Sequence, residues 1–403
     1  MISFDYLTHT RGFLTCEKVA QYYKKTDSFL AKLESGKEDM TDWYDISKTI
    51  SKNEVKDIIT LANEIKKNAD VLVVVGIGGS YAGSNAIIEA LSPYFNTNKT
   101  KVIFAGTDLS SEYLIQLASY LKDKDFYINV ISKSGNTLEV KLAFDFLYNI
   151  TKEKYKSDYK KRIIITTDKD KGNLRQLANK ENFTSFIIPD KIGGRFSALT
   201  PAGLFPVAVS GIDIERLLEG AGFAKKYVPQ AVDYAITRHI LLTKNRVVEG
   251  LTFYEKKLNG FALWTQQLLG ESLGKNQSGV LPIINRNTTN LHSIGQFIQD
   301  GSKILFETVI KVNSGQDLII NNTSLNNINN IAISAVATAH ANGNVPSLII
   351  SLDKLNEENL GELIYFYFIA TSICGYLQSV NPFDQPGVEE YKRLIKEKMN
   401  ESN

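Results

Sequence analysis

The feature that most constrains the fold of this chain is an alternation of short apolar runs with longer segments of helical spacing. Between residues 70 and 189, runs rich in valine and isoleucine occur at 71–75, 101–105, 126–131, 162–166 and 183–188. Helical segments are predicted at 85–91, 112–121 and 138–147. A strand that is buried on both faces has a continuous apolar run, and helices between such strands indicate a parallel sheet covered on two sides. This part of the chain therefore predicts an α/β unit.

A second series of the same kind begins after residue 232. Strands are predicted at 246–254, 280–284, 304–312 and 347–352, and helices at 258–269, 328–340 and 363–377. We therefore expect two tandem α/β units, although no sequence repeat relates them. The expected boundaries are a helical N-terminal arm at 1–68, a first unit at 69–200, a helical connection and second unit at 201–380, and a C-terminal loop and helix at 381–403.

Charge and hydropathy argue against nucleic-acid and membrane partners. The 46 basic and 44 acidic residues leave a net charge of +2, which provides no field for a polyanion or an anionic surface. A basic run at 152–162 and an asparagine-rich run at 321–330 are interpreted as a solvated helix end and a surface loop. The longest apolar stretch, 363–377, is shorter than the ~20 residues of a membrane span and predicts a buried helix. With no signal region expected and Cys16 and Cys374 expected to be reduced and buried, a cytoplasmic protein is predicted.

Two polar loops follow predicted strands of the first unit, where the N–H groups of a helix start can bind an anion. In GIGGS at 76–80, a dinucleotide fingerprint would need a glycine where Tyr81 stands. SKSGNT at 132–137 supplies three hydroxyls and a lysine. One hydroxyl would suffice for helix capping, so the full set favours a phosphomonoester. Neither loop has the spacing of a nucleotide triphosphatase P-loop.

Arg195 and Glu271 are the charged side chains best suited to chemistry. Arg195 follows two glycines after a predicted strand, and its planar guanidinium can bind an oxyanion or a phosphate. Glu271 ends a strongly apolar helix, and a carboxylate in apolar surroundings suits a general base near neutral pH. A turn with a surface arginine and a solvated glutamate at a helix end are the simpler structural explanations.

His292 and the stretch 381–392 complete the set of candidates. His292 is one of four histidines, the side chain best matched to proton transfer near neutral pH. The sequence NPFDQPGVEEYK contains two prolines and a glycine, which predict a rigid turn that could deliver Gln385 and Lys392 to one point. A structural histidine and an ordinary capped helix start remain open as alternatives.

Taken together and in this order, these stretches resemble the glucose-6-phosphate isomerases. GGRFS at 193–197 and FDQPGVE at 383–389, followed by Lys392, are similar to the two diagnostic motifs of that family. The likeness extends from about residue 71 to residue 392, and the compact length resembles the short bacterial form. It implies that each α/β series is a sugar-isomerase (SIS) domain, a three-layer sandwich around a parallel sheet.

The resemblance implies reversible isomerisation of glucose 6-phosphate and fructose 6-phosphate, in glycolysis and gluconeogenesis, through ring opening and a cis-enediol. Glu271 would move the proton between C2 and C1, and Arg195 would stabilise the developing negative charge. His292, contributed by the partner subunit of a homodimer, and Lys392 would assist ring opening. No metal or other cofactor is implied. Asn136 stands where the family often has threonine. The other matching residues would hold the substrate and its phosphate: Gly79, Ser80, Ser132, Lys133, Ser134, Thr137, Gly194 and Gln385.

Three other functions are compatible with parts of the sequence. A phosphosugar isomerase that also accepts mannose 6-phosphate would use the same domains. A non-catalytic SIS regulator could keep the 132–137 loop but would have no need for Glu271, His292 and Lys392 together. An NAD-dependent dehydrogenase rests on the glycines at 76–79 and is disfavoured by Tyr81.

Overall fold

The computed structural model describes residues 1–95 and 99–401, which form two α/β units. Its strands are β1 Ile2–His9, β2 Val71–Val75, β3 Lys101–Ala105, β4 Phe126–Ile131, β5 Ile163–Thr167, β6 Thr184–Ile187, β7 Val248–Phe253, β8 Leu281–Arg286, β9 Leu305–Ser314, β10 Ile319–Ile320, β11 Thr323–Ser324 and β12 Ser347–Lys354. Its helices are α1 Cys16–Ala20, α2 Tyr23–Glu34, α3 Ile46–Thr49, α4 Lys52–Asn68, α5 Gly79–Leu91, α6 Ser111–Leu121, α7 Leu138–Tyr155, α8 Asn173–Glu181, α9 Pro201–Val209, α10 Ile214–Phe223, α11 Val228–Thr243, α12 Asn259–Leu273, α13 Gly295–Asp300, α14 Leu325–Asn342, α15 Glu357–Leu377 and α16 Glu389–Glu401.

The first sheet is parallel and has the strand order β3-β2-β4-β5-β6. Alternate residues of β2 enter different cores: Val73 packs with the side of the sheet that α6 and α7 cover, and Val74 with the side that α4, α5 and α9 cover. Both faces are therefore buried, which explains the continuous apolar runs. The predicted parallel α/β unit is confirmed.

The second sheet has the order β1-β12-β9-β7-β8, and all its strands except β1 are parallel. The prediction of a wholly helical arm at 1–68 is wrong for residues 2–9, which pair antiparallel with β12 so that Phe4 lies opposite Ile350. The alternation of apolar and polar side chains in this segment suits an edge strand. The sheet edge that pairs with it is formed by residues more than 300 positions away in the sequence. The expected loop at 321–330 is also only partly correct, because Ser324 caps α14 and the helix begins at Leu325.

Helix α15 lies in the centre of the molecule against α10, α11 and α12. Its length and composition would allow it to cross a membrane, but it is almost wholly buried inside the protein, as predicted for a core helix. Cys374 on this helix is buried, whereas Cys16 on the surface helix α1 is exposed. The expectation of two buried thiols is therefore wrong for Cys16.

The two units meet where α5 packs against α12. A glycine allows close approach there, because a Cβ at Gly260 would lie 3.2 Å from Ala86 Cα; within the first unit, a Cβ at Gly83 would likewise lie 2.8 Å from Ala198 Cβ. Because Gly78 before α5 lies beside Gln267 near the end of α12, the start of α5 and the end of α12 share one region. This packing positions the candidate site.

Candidate active site

The polar loops of the first unit follow β2 and β4, which are neighbours in the sheet. From β2 the chain crosses to β3 on one side, and β4 then returns to the other side of β2. Ligands of doubly wound sheets bind beyond the carboxyl ends of the strands at such a reversal. The GIGGS and SKSGNT loops therefore lie where the topology predicts a ligand.

The glycine turn has a packing role of its own. Gly78 has a φ of +58°, a conformation that favours glycine. A Cβ at Gly79 would lie 2.0 Å from the carbonyl oxygen of Gly194, so no larger residue fits there. Ser197 Oγ donates to that carbonyl at 2.6 Å. The start of α5 and the GGRFS segment are thus in direct contact, and the glycines are explained without a dinucleotide.

Arg195 is the centre of the site. Its side chain is 3% exposed. Nε donates to Ser272 Oγ at 2.7 Å, Nη1 to Gln385 Oε1 at 2.8 Å, and Nη2 to the carbonyls of Pro382 and Asp384 at 2.8 Å each. Burial lowers the pKa of Arg195, and the carboxylates of Glu271 and Asp384 oppose the shift. The ordinary pKa of arginine is so high that the group remains charged.

Glu271 lies on the last turns of α12 and faces Arg195. Its Oε1 is 3.6 Å from Arg195 Nη1, and its Oε2 accepts a hydrogen bond from Gln267 Nε2 at 3.1 Å. The side chain is 28% exposed, so it is open to a ligand. A carboxylate, a guanidinium and the Gln385 amide therefore converge at one point, which is the arrangement required for moving a proton beside a developing oxyanion.

The hydroxyls of the 132–137 loop are arranged around the start of α7. Ser132 is buried, and its Oγ accepts from the N–H of Gly135 at 3.1 Å; Ser134 Oγ accepts from the N–H of Asn136 at 3.3 Å. Thr137 occupies the N-cap position but makes no side-chain capping hydrogen bond. Helix α5, which contains Ser80, likewise begins without a side-chain cap. The start of α7 can therefore direct N–H groups at an anion. At the start of α5, the N–H groups of Ser80 and Tyr81 already donate to the carbonyls of Ile77 and Gly78, so this helix offers mainly the positive end of its dipole.

Lys133 is placed differently from the sequence expectation. Its Nζ donates to the carbonyls of Pro189, Asp190 and Ile192 at 3.2, 2.5 and 3.2 Å. Burial lowers its pKa, opposed by neighbouring aspartates. An ammonium group has three donors, so a direct contact with phosphate would require one of them to leave its carbonyl. In this structure Lys133 instead joins the 132–137 loop to the segment that leads to Arg195.

His292 and Lys392 make no hydrogen bond or ion pair with this group in the part of the chain that the structure describes. His292 is exposed at the end of a 3-10 turn, Thr289–His292. Lys392 is on the first turns of α16, where its Nζ pairs with Glu389 at 2.9 Å. Gly79, Gly194, Arg195, Glu271 and Gln385 are brought together, and these two are not.

Comparison with known proteins agrees with this geometry. The family model described as phosphoglucose isomerase matches residues 33–338 and 318–403. A glucose-6-phosphate isomerase of Staphylococcus epidermidis is 42% identical over 379 residues, covering 88% of this chain and 86% of that protein. The chain belongs to the phosphoglucose isomerase family.

Solved structures support the same fold for this family member. A hypothetical protein of Thermus thermophilus matches with a TM-score of 0.90 and 25% identity, covering 99% of this chain and 100% of that one. A glucose-6-phosphate isomerase of Chlamydia trachomatis matches with a TM-score of 0.76 and 22% identity, covering 87% and 73% of the two chains.

Sequence reasoning missed several residues that hold the site of this family member together. Ser272 accepts a hydrogen bond from Arg195, and Gln267 donates one to Glu271. Lys275 forms an ion pair with Asp384 at 2.7 Å. The spacing of Gln267 four residues before Glu271 could have indicated a helical pair; the other contacts carry no local signal.

Within residues 1–95 and 99–401, no group of three or more His, Cys, Asp or Glu side chains could hold a metal ion.

Proposed function

We propose that this chain interconverts glucose 6-phosphate and fructose 6-phosphate, with Glu271 as the base. The observation that carries the proposal is the contact of Glu271 with a buried Arg195 that also holds Gln385. Membership of the phosphoglucose isomerase family gives this arrangement its reaction class. The enzyme acts in the cytoplasm, in glycolysis and gluconeogenesis.

The phosphate group of the substrate binds between the starts of α5 and α7. Ser80, Ser132, Ser134 and Thr137 supply hydroxyls, the start of α7 supplies backbone N–H groups, and both helix starts supply a favourable dipole. Lys133 acts by holding this loop on the 189–192 segment. A grip at the phosphate end orients the reacting carbons at the other end of the substrate.

The proton moves by way of Glu271. In the aldose-to-ketose direction Glu271 removes the proton from C2 of the open-chain sugar while the C1 carbonyl oxygen takes up a proton, so that an enediol forms. The same carboxyl group then delivers its proton to C1 while the O2 hydroxyl loses its proton and becomes the carbonyl. The proton released at O2 balances the one taken up at O1, with water as the carrier. Negative charge appears on the enediolate oxygens only during the reaction, and the Arg195 guanidinium lies beside the base to stabilise it. One base is sufficient, because the group that takes the proton returns it.

Ring opening is assigned to Lys392 and to His292 of a second copy of the chain. The apolar residues exposed on the β10–β11 hairpin and on one side of α14 support a homodimer; they are Leu318, Ile319, Ile320, Leu325, Ile328 and Ile331. Helix α16 likewise has no buried residue and exposes Tyr391, Leu394 and Ile395 at helical spacing. Contiguous exposed apolar surface is typical of an interface.

The first test is turnover of fructose 6-phosphate in a coupled assay with EDTA present, for the wild type and for Glu271→Gln. We expect Glu271→Gln to lower kcat by about two orders of magnitude or more, with little change in KM. Glu219→Gln, on the exposed side of α10, is the matched control. A Glu271→Gln enzyme that keeps more than about a tenth of the wild-type kcat would remove Glu271 from the role of base.

Mixing of two inactive variants tests the shared site. If His292 serves the partner's site, a heterodimer of Glu271→Gln and His292→Gln subunits has one intact site, and a statistical mixture regains roughly a quarter of wild-type activity. If His292 serves its own chain, every site in the heterodimer is defective and the mixture stays inactive.

A further inference from the structure

Lys275 is a buried cation beside the candidate site to which neither the sequence nor the family resemblance assigns a role. It follows Gly274, directly after the helix that carries Glu271, and its side chain is 9% exposed. Burial lowers its pKa, and the nearby carboxylate of Asp384 opposes the shift. A buried ammonium group is costly unless it is well paired, so its partners matter.

The ammonium group of Lys275 contacts the loop that carries Gln385. Its Nζ donates to the carbonyls of Asn381 and Asp384, the latter at 2.8 Å, and it lies 2.7 Å from the Asp384 carboxylate. The three donors of the ammonium group are thus directed at one loop. Lys275 therefore connects the end of α12, four residues after Glu271, to residues 381–384.

Arg195 holds the same loop from a different direction. It donates to the carbonyls of Pro382 and Asp384 and to the Gln385 side chain. The Asp384 carbonyl accepts from both cations. A displacement of residues 381–384 would therefore change the position of the Arg195 guanidinium and of Gln385 relative to Glu271.

The loop is only partly packed against protein. Pro382 and Phe383 are buried, and the Phe383 ring lies 5.4 Å from that of Phe196. On the Lys275 side, a cavity of about 840 Å³ adjoins the loop, and its wall includes Lys275, Asn381, Asp384, Pro386 and Gly387. Van der Waals packing therefore holds Pro382 and Phe383, but Asn381 and Asp384 border open space. Their position depends on the hydrogen bonds from Lys275 and Arg195.

We infer that Lys275 is a positioning residue for the isomerase reaction. It holds residues 381–384 so that Gln385 and the Arg195 guanidinium face the Glu271 carboxylate, and it acts through the loop without touching the substrate. The inference rests on the proposed function, because it concerns the geometry around the proposed base.

The test compares Lys275→Met with Lys154→Met in the full-length enzyme. Lys154 is a matched control, because its Nζ also donates to three backbone carbonyls, those of Leu121, Lys122 and Lys124, in the first unit. We expect Lys275→Met to lower kcat about 30- to 100-fold, since a displacement of about 1 Å can cost on the order of 100-fold. Inhibition by inorganic phosphate should change less than about threefold, because the phosphate site belongs to other loops.

Restoration of the amine separates positioning from a general loss of structure. Lys275→Cys, made in a Cys16→Ser background and alkylated with bromoethylamine, regains a lysine-like side chain, and kcat should return to within about threefold of wild type. Asp384→Asn removes the carboxylate but keeps the carbonyl contacts, and it is the alternative test if the Lys275 variants do not fold. We expect it to lower kcat without weakening inhibition by phosphate.

Two results would overturn the inference. One is a Lys275→Met or Asp384→Asn enzyme with kcat within about threefold of wild type, while Glu271→Gln is inactive; this outcome leaves the proposed function standing. The other is equal loss of kcat in Lys275→Met and Lys154→Met, which would mean that both act through stability alone. An active Glu271→Gln enzyme would instead contradict the proposed function.

Discussion

Replacing Lys133 with methionine distinguishes a phosphate ligand from a residue that holds two segments together. In the structure, the Lys133 ammonium donates to the carbonyls of Pro189, Asp190 and Ile192. These residues lead directly to Gly193, Gly194 and Arg195. We therefore expect Lys133→Met to release the segment before Arg195 rather than to remove a phosphate contact.

The expected magnitude follows from the three lost hydrogen bonds. Each contributes about 0.5–1.5 kcal/mol net, and water reaches the exposed part of this contact, so we expect the free energy of unfolding to fall by about 1–3 kcal/mol. A shift of the Arg195 segment should lower kcat about tenfold or more. If Lys133 instead contacted phosphate, loss of a charged hydrogen bond of about 1.5–3 kcal/mol would weaken phosphate binding about 10- to 150-fold.

The assay measures kcat and KM for fructose 6-phosphate, the inhibition constant of inorganic phosphate, and urea denaturation on the same preparation. Lys191→Met removes an exposed positive charge from the neighbouring segment and is the control for a general electrostatic effect. Phosphate inhibition weakened tenfold or more, with kcat and stability close to wild type, would refute this reasoning and restore Lys133 as a ligand.

Three further predictions concern the packing around the site and the core. Gly79→Ala should lower kcat/KM at least about 100-fold, because its Cβ would lie 2.0 Å from the Gly194 carbonyl; Gly222→Ala, with no atom within 4 Å of the added Cβ, should be as active as wild type. Arg238→Met should lower the free energy of unfolding by about 3–5 kcal/mol in urea denaturation, because it removes the guanidinium 2.6 Å from the fully buried carboxylate of Glu249 and leaves that charge with hydroxyl donors from Tyr234 and Thr308. Burial and the charge of Lys25 lower the pKa of His239 below its usual 6.5. The unfolded chain therefore binds this proton at a higher pH than the folded chain does, and the free energy of unfolding should fall as the pH falls below about 6.5. His239→Gln should remove this part of the pH dependence of thermal unfolding.

The core strands of both sheets could be predicted closely because their signal is local. The predicted strands at 71–75, 101–105 and 126–131 coincide with β2, β3 and β4, and the others differ by at most two residues at either end. A run of valine and isoleucine buried on both faces has few alternatives to a parallel strand. By contrast, β1 needs the exposed edge of β12 before its alternating apolar and polar residues have a partner, so local pattern alone does not distinguish it from the helices that follow.

Within the site, the sequence by itself determined which side chains are present and which loops carry them. Arg195, Glu271 and Gln385 stand in segments whose composition indicates turns and helix ends, and the order of those segments carried the family resemblance. Spacing also placed the hydroxyls of 132–137 after a buried strand. These are local properties, because turn residues and apolar periodicity act over a few positions of the chain.

Tertiary structure alone decided what each charge contacts. Residues 195, 271 and 385 are separated by 76 and 114 positions, and they meet because α5 packs on α12 and the 381–384 loop lies across Arg195. The same packing directed Lys133 at backbone carbonyls and Lys275 at the Gln385 loop. The sequence around a lysine has the same local pattern whether its side chain binds a ligand or a backbone carbonyl. The acceptors that come within about 3 Å of it decide between the two.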